Sequence, residues 1–335
     1  MTKHDRTAPA QDVQASGPLP KVSVVVPSYN HASFLPARLE SIFNQAYSDY
    51  EVLLFDDCST DGSAEILKKY QHHPRLAALV INERNSGPFS QWKKAIAQAR
   101  GEYIWIAESD DVAEPSFLTE LTALLDANPA VGVAYCQSSV IDSGGAVLYD
   151  NRRWTDDLDP ELWQRPFSMP GIEALRKFFA FKNVIPNASA VLFRKALFAR
   201  VNHEFMNFQY AGDWLVWAQM LRFSDLSFLP EPLNRFRLHD RVTRLRTQPQ
   251  QRAKYLTELY SVVDRVVGYS GLEGEGRNRV YDRLARRTFG ELGARNLLTP
   301  KGLSLIGRLA SSSDRRLPKR LFELSLKGIA RRVGL

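Results

Sequence analysis

The sequence predicts an α/β fold: a mostly parallel sheet flanked by helices and followed by a helical C-terminal region. Three observations carry this. The run Lys21-Val22-Ser23-Val24-Val25-Val26-Pro27 is almost continuously apolar and β-branched, as in a strand buried on both faces. Strand-like and helix-like segments then alternate up to Ala107, and a β-α-β-α-β-α-β order demands parallel strands joined by right-handed crossovers. Finally, the strand Tyr103 to Ala107 runs without a break into Glu108-Ser109-Asp110-Asp111. Carboxylates this close repel one another unless a cation or solvent neutralises them. The carboxyl end of a strand is also where ligands bind in open parallel sheets. Taken alone, the cluster is either a site for a divalent cation carrying a phosphorylated substrate or an acidic turn capping the next helix.

The elements follow in order. After the first strand, Pro27-Ser28-Tyr29-Asn30 is turn-rich, and Ser33 caps a helix whose apolar face is Leu35, Leu39, Ile42, Phe43 and Ala46. A second strand, Tyr50 to Phe55, enters Asp56-Asp57-Cys58-Ser59-Thr60-Asp61-Gly62, and a helix spans Ser63 to Tyr70. The third strand, Ala77 to Ile81, leads through Asn82 to Gly87 into a helix that Gly101 closes. Further on, Asn151 to Gly171 is rich in Trp, Pro and Asp and reads as a long loop, followed by a helix from Ile172 to Phe181. Tyr255 to Gly293 reads as amphipathic helices dense in basic residues.

The blocks Val24 to Asn30, Asp56 to Ser63, Asn85-Ser86-Gly87, Gly101 to Ile104 and Ser109-Asp110-Asp111, in this order and spacing, resemble a family 2 glycosyltransferase of the GT-A fold. The resemblance is close over residues 20–140 and looser to 245. It implies a Rossmann-like nucleotide-diphospho-sugar transferase domain at 21–245, with a nucleotide-binding half at 21–140 and an acceptor half at 141–245. The implied reaction is inverting transfer from a nucleotide-diphosphate sugar, a UDP-sugar being favoured, to a saccharide or lipid-linked acceptor in polysaccharide or glycan assembly. A divalent metal, Mg²⁺ or Mn²⁺, is implied under the diphosphate.

Carried over residue by residue, Pro27, Tyr29 and Asn30 match the first nucleotide loop, where an aromatic ring lies against base or ribose. Asp57 matches the acceptor of a hydrogen bond from the base, which suits a uracil imide and equally a thymine. Asp56, Ser59 and Asp61 read as turn and cap chemistry. Asn85 and Gly87 let the backbone pass close to the nucleotide, because glycine has no side chain in the way. Asp110 and Asp111 match the acidic metal motif, Asp110 reaching the substrate through the cation. A hard cation takes oxygen ligands from one or two carboxylates plus phosphates and stabilises charge on the departing diphosphate. The acid two places before Asp110 is often Asp in the family; here it is Glu108, which keeps the charge but moves it. Asp213, in Tyr210 to Trp217, matches the acid of an acid–Trp pair and is the candidate catalytic base for the acceptor hydroxyl. Trp214 then lines or shields the sugar, and the alternative for Asp213 is a plain N-terminal helix acid. In Leu233 to Arg241, His239 is a candidate metal ligand and Arg237, with Arg235 and Arg241, a candidate phosphate partner. The alternation there also suits a half-exposed edge strand, with His239 an ordinary surface histidine. Val184 to Phe193 resembles the acceptor-side strand, from which Asn187 or Ser189 reaches a sugar.

Composition is consistent with a globular protein: 44% hydrophobic and 24% charged residues are ordinary for one. Two cysteines, Cys58 and Cys136, are too few for a disulfide framework and have no metal-ligand spacing, which points to the cytoplasm. Residues 1–20 are polar without an apolar run, as in a disordered leader rather than a signal peptide, and no segment has the apolar length of a membrane span. From Arg295 to Leu335, ten Lys or Arg stand against Asp314 and Glu323, a net of +8 in a chain whose total is +7. There Phe322, Leu326, Ile329 and Val333 recur at helical spacing, with Arg320, Lys327 and Arg331 on another face. A basic amphipathic helix within residues 295–335 suits an anionic membrane surface, hence peripheral attachment at the inner face. A helix packed on the domain with its cationic face solvated is the alternative. No nucleic-acid reading motif is present, so no nucleic acid is expected. Two other functions compete. A nucleotidyltransferase would carry a glycine-rich basic loop after the first strand, and Pro27 to Pro36 has none. A non-catalytic nucleotide-sugar-binding or assembly protein remains open because of Glu108.

Overall fold

The computed structural model describes residues 18–240 and 246–333, with side chains described as far as Leu326. Nearly all of the expected leader, Arg241, and the side chains of Lys327, Ile329, Arg331 and Val333 lie outside the described residues. The chain opens as read: β1 (Val22–Ser28), α1 (Leu35–Phe43), β2 (Tyr50–Asp56), α2 (Ser63–Lys68), β3 (Leu76–Ile81), α3 (Pro88–Gln98) and β4 (Tyr103–Ile106). The pairs β1–β2, β1–β4 and β2–β3 are all parallel. Val24 and Val26 face a cluster with Leu35, Leu39 and Phe117, whereas Val25, Leu53 and Ile104 face Trp92 and Trp217. Both faces are therefore core, which is why β1 is apolar at nearly every position. Ser33 does not cap α1; Phe34 occupies that place without a side-chain cap bond.

The rest of the sheet is mixed. After β5 (Val112–Ala113) and α4 (Phe117–Ala127) come β6 (Val131–Ile141), β7 (Val147–Asp150), β8 (Phe167–Met169), α5 (Gly171–Ala174), β9 (Val191–Arg194), α6 (Lys195–Phe198), α7 (Gly212–Met220) and β10 (Asp225–Arg237). The order is β3-β2-β1-β4-β9-β6-β10-β5, with β7 on β6 and β8 on β10. Strand β9 is antiparallel to both its neighbours, and β10 is parallel to β6. So β10 runs between β6 and β5 at its end, not along an edge. The expected long loop at 151–171 contains two 3₁₀ turns and β8, pinned where buried Trp163 donates to Tyr135 Oη at 2.6 Å. The expected helix after it is α5 passing directly into a π turn, Leu175–Phe179.

Four helices follow: α8 (Pro249–Ser270), α9 (Gly274–Leu297), α10 (Pro300–Ser312) and α11 (Leu317–Val333). Leu256, Tyr260, Leu305, Leu317 and Leu321 belong to the same apolar cluster as Phe178 and Trp217. The basic region is thus packed onto the sheet domain rather than hung from it. Arg320 is bound into that packing by ion pairs with Asp282 and Asp314, so its place is not on a solvated cationic face. No helix among the described residues is long and apolar enough to cross a membrane.

Candidate functional site

The loops after β1, β2 and β4 meet at the carboxyl ends of those strands. Asn30 adopts φ +54°, a left-handed conformation that asparagine tolerates. Its Oδ1 accepts from Thr60 N at 2.8 Å, and its own N–H donates to Ser59 Oγ at 2.9 Å. Asp61 accepts from Ala32 N at 2.9 Å, and Asp56 from Ser59 N at 2.8 Å. These residues stitch the first loop to the second, the turn chemistry expected of Asp56, Ser59 and Asp61. Pro27 is buried within β1, opposite Phe55, while Tyr29 stands 46% exposed at the loop surface.

Asp57 is engaged within its own chain. Its buried carboxylate accepts from Asn82 Nδ2 (3.0 Å), Ser86 N (2.9 Å), Ser86 Oγ (3.1 Å), Gly87 N (2.7 Å) and Gln91 Nε2. A carboxylate offers about four lone-pair sites, so these donors saturate it, and a base N–H reaches it only by displacing one. Asp57 organises the Asn85-Ser86-Gly87 loop. Gly87 has a conformational reason of its own: its φ of +84° lies in a region that residues with a side chain rarely adopt, and a Cβ there would meet no protein atom within 4 Å, which leaves the space beside it open.

Beyond β4, the acidic residues separate. Asp110 Oδ2 lies 3.1 Å from His239 Nε2, at the end of the segment that follows β10. His31 completes a cluster with them: one ligand atom from each lies within 4.8 Å of the others. Burial resists ionisation of Asp110, but the His239 hydrogen bond and the charges of His31 and His239 prevail and hold its pKa low. Asp111, the second expected ligand, is outside this cluster. Its Oδ1 accepts from Arg237 N at 2.9 Å, and burial, then the charge of Asp110, push it up to about 7. Glu108 is turned to Trp92, whose Nε1 donates to it at 3.0 Å; burial, then Asp110, push it up to about 8. Two imidazoles and one ionised carboxylate, beside two further acids that burial leaves reluctant to ionise, form a donor set that fits a divalent cation.

Beneath the acids lies Arg38, fully buried on the apolar face of α1. Its guanidinium sits 4.8 Å from the Trp105 ring centroid, and none of its three nitrogens has a hydrogen-bond partner among the described residues. Burial lowers its pKa to about 10, against the pull of Asp111, Asp110 and Glu108. Arg237, expected at a phosphate, is engaged with backbone carbonyls. Its Nε donates to Asp110 O at 2.7 Å and its Nη1 to Asp142 O and Ser143 O, and the residue is buried. Arg237 braces the acidic turn. Arg235 is paired with Glu114 at 2.6 Å. Asn187 and Ser189 are buried structural groups: Asn187 bonds Ser138 and Asn234, and Ser189 Oγ accepts from Glu108 N.

Asp213 stands in the first turn of α7, its Oδ2 3.3 Å from Asn183 Nδ2. A Cβ on Gly212 would come within 2.5 Å of the Phe89 ring, so this glycine permits α7 to press against the start of α3, beside the loop that Asp57 holds. Trp214 is 5% exposed and belongs to the apolar cluster, so it offers little surface to a sugar. Two residues of this site escaped the sequence reading. His31 carries no local signal beyond its place after a strand end. Arg38 was visible as a cation at helical spacing with Leu35, Leu39 and Ile42.

A family model described as Glycosyl transferase family 2 matches residues 23–200. An uncharacterized glycosyltransferase of Haemophilus influenzae is 25% identical over 227 residues, 67% of each chain. The putative teichuronic acid biosynthesis glycosyltransferase TuaG of Bacillus subtilis is 37% identical over 92 residues, 28% of this chain and 36% of TuaG. The poly(ribitol-phosphate) beta-N-acetylglucosaminyltransferase TarS of Staphylococcus aureus is 32% identical over 108 residues, 32% of this chain and 19% of TarS. The chain thus matches little more than a third of TuaG and a fifth of TarS. Among solved structures, residues 1–349 of S. aureus TarS in complex with UDP align at TM-score 0.65 and 18% identity, covering 94% of this chain and 92% of that one. The mannosyltransferase PcManGT of Pyrobaculum calidifontis, in complex with GDP-Man and Mn²⁺, aligns at 0.54 and 19%, covering 93% and 80%. At such identities the likeness is one of fold, the GT-A fold.

Proposed function

The chain belongs to glycosyl transferase family 2, and from that premise we propose that it transfers a sugar from a nucleotide-diphosphate sugar to a saccharide or lipid-linked acceptor, with inversion, in cell-surface polysaccharide assembly. The observation that carries the reading is the meeting of Asp110 and two histidines at the carboxyl ends of β1 and β4. A UDP-sugar is the favoured donor, in line with a fold neighbour that holds UDP. Residues 21–140 serve the donor and 141–245 the acceptor, with 246–335 as the helical basic region.

Asp110 and His239 would hold a divalent cation, Mg²⁺ or Mn²⁺, which would supply charge neutralisation for the departing diphosphate. Tyr29 lies against the base or ribose, and Asp57 fixes the loop that borders the donor. Asp213 takes the proton from the acceptor hydroxyl as its oxygen attacks the anomeric carbon, opposite the breaking bond to the diphosphate. The test is release of nucleotide from UDP-, GDP- and dTDP-sugars by the purified protein, with acceptor and Mn²⁺. Asp213→Asn is expected to bind nucleotide like the parent while turnover falls roughly 10²–10⁴-fold. Unchanged turnover removes Asp213 from the mechanism. Nucleotide binding with no turnover by the parent on any acceptor favours the non-catalytic binding protein.

A second proposal concerns place: peripheral attachment at the cytoplasmic face of a membrane through the basic region. Phe322 and Leu326 are 64% and 50% exposed on one side of α11, with Lys319 and Arg315 exposed nearby. Apolar groups with adjacent cations suit anionic lipid. Phe322→Ser with Leu326→Ser is expected to lower co-sedimentation with anionic vesicles about tenfold or more, given ~1.5–3 kcal/mol for each large apolar side chain buried. Unchanged partitioning refutes attachment through this face. Point variants are the right tool, since deleting the region would remove Leu305, Leu317 and Leu321 from the core.

A further inference from the structure

The cluster around Asp110 holds one group more than the acidic motif and the histidine after β10 supply. His31 belongs to the first loop, three residues beyond β1, and it is fixed from three sides. Its backbone N–H donates to Ser63 Oγ at 3.1 Å, and its Nδ1 lies 2.8 Å from the Oγ of buried Ser109. Its ring meets that of His239 edge-on at 5.4 Å, while Phe34 flanks both rings at 5.8 and 4.7 Å. In the tautomer whose Nδ1 proton is accepted by Ser109 Oγ, Nε2 carries the lone pair, the usual support of a metal-bound imidazole. The second carboxylate that a hard cation would seek, Asp111, is meanwhile occupied with the backbone of Arg237.

We propose that His31 is a third protein ligand of this centre, and that two imidazoles with one carboxylate make it select a transition cation such as Mn²⁺ over Mg²⁺. The inference rests on the metal-assisted reading given above and specifies the cation. Mg²⁺ demands oxygen ligands and dehydrates reluctantly, whereas imidazole suits first-row transition cations. Affinity accordingly rises from Mg²⁺ through Mn²⁺ to Co²⁺. The ligand set also ties the first loop to the segment after β10, so binding the cation orders both against the acidic turn.

The experiment is calorimetric titration of the full chain with Mg²⁺, Mn²⁺ and Co²⁺, alone and with UDP, alongside pulsed electron paramagnetic resonance of bound Mn²⁺. The parent is expected to bind Mn²⁺ at least about tenfold more tightly than Mg²⁺ and to show nitrogen coupling from two imidazoles. His31→Ala is expected to lose about 10–100-fold in Mn²⁺ affinity and one of the two nitrogen couplings, with Mg²⁺ changed no more than about threefold. His31→Asp, which restores an oxygen ligand, is expected to swing the preference toward Mg²⁺. The Mn²⁺/Mg²⁺ ratio is internal to each variant, so partial misfolding lowers both and does not imitate the effect. Equal losses for both cations in His31→Ala, or unchanged nitrogen coupling, overturn the proposal, as does UDP binding with no metal bound. Metal binding as described but no binding of any nucleotide leaves the ligand set standing and overturns the transferase reading.

Discussion

Asp110→Asn is expected to lower turnover about a thousandfold, abolish Mn²⁺ binding and weaken nucleotide-diphosphate binding at least tenfold. Lewis-acid stabilisation of a departing diphosphate is worth several kcal/mol, and about 4 kcal/mol corresponds to a factor of a thousand. Asp110 is the one acid of the turn whose surroundings favour its charged form, through His239 and His31. An amide in its place leaves two imidazoles and no anion. The fold is expected to survive, because the contact that braces this turn runs from Arg237 Nε to the backbone carbonyl of Asp110. Asp111→Asn is the informative contrast. The amide oxygen can still accept from Arg237 N, and Mn²⁺ affinity is expected to change only a few-fold. Should Asp111→Asn abolish metal binding while Asp110→Asn spares it, the two have exchanged roles.

Stability is expected to fall as pH rises from about 4 to 8, and to be recovered by Mn²⁺ at the alkaline end. Burial, then the charge of Asp110, push Glu108 up to about 8 and Asp111 up to about 7, against about 4 in an unfolded chain. Between those values the folded state holds protons that the unfolded state has released. By linkage, each such group then removes about 1.4 kcal/mol of stability per pH unit. The benefit is complete below pH 4 and gone above about pH 8. Asp110 has the opposite sign, since its lowered pKa costs stability only as pH falls below about 4. A bound cation favours the ionised acids and so opposes the alkaline loss. The measurement is the thermal midpoint at pH 5.5 and 8.0 for the parent and for Glu108→Gln, whose amide oxygen keeps the Trp92 hydrogen bond. The variant is expected to lose a smaller part of its stability over this interval. An identical pH dependence in the two proteins would show that Glu108 ionises without strain.

The parallel half of the sheet was legible because its signals are local. Val22 to Val26, Tyr50 to Phe55 and Tyr103 to Ile106 are apolar on both faces, and the segments between them carry one apolar stripe each. The other half depends on pairings between distant segments, and the pattern of β10 misled for that reason. Alternation through Arg235-Phe236-Arg237 resembles an edge strand, but β6 runs along it and β5 covers Asn234 and Arg235, and Arg237 donates to the carbonyls of Asp110 and Asp142. At the site, Asp110 and His239 could be picked out because a carboxylate and an imidazole at those motif positions match the family pattern. At Asp57 and Gly87 the residue types mark a loop that must be held and turned, and the fold adds that the Asp57 carboxylate is engaged by its own chain. Nothing in Asn30-His31-Ala32 distinguishes a ligand from a loop residue until Ser109 is seen beside the ring.

The path of β10 also sets a birth order for the site. Its 13 residues are the last strand in chain order, and its end carries His239 to a turn and loop made far earlier in the chain. A ribosome that has delivered only the first four strands has exposed the donor loops with their acids uncompensated by any later imidazole. Contacts between segments so distant form late and slowly. A cation held as proposed would therefore report that synthesis has passed residue 239: a chain that stops short of it has the scaffold of the site but no way to close it.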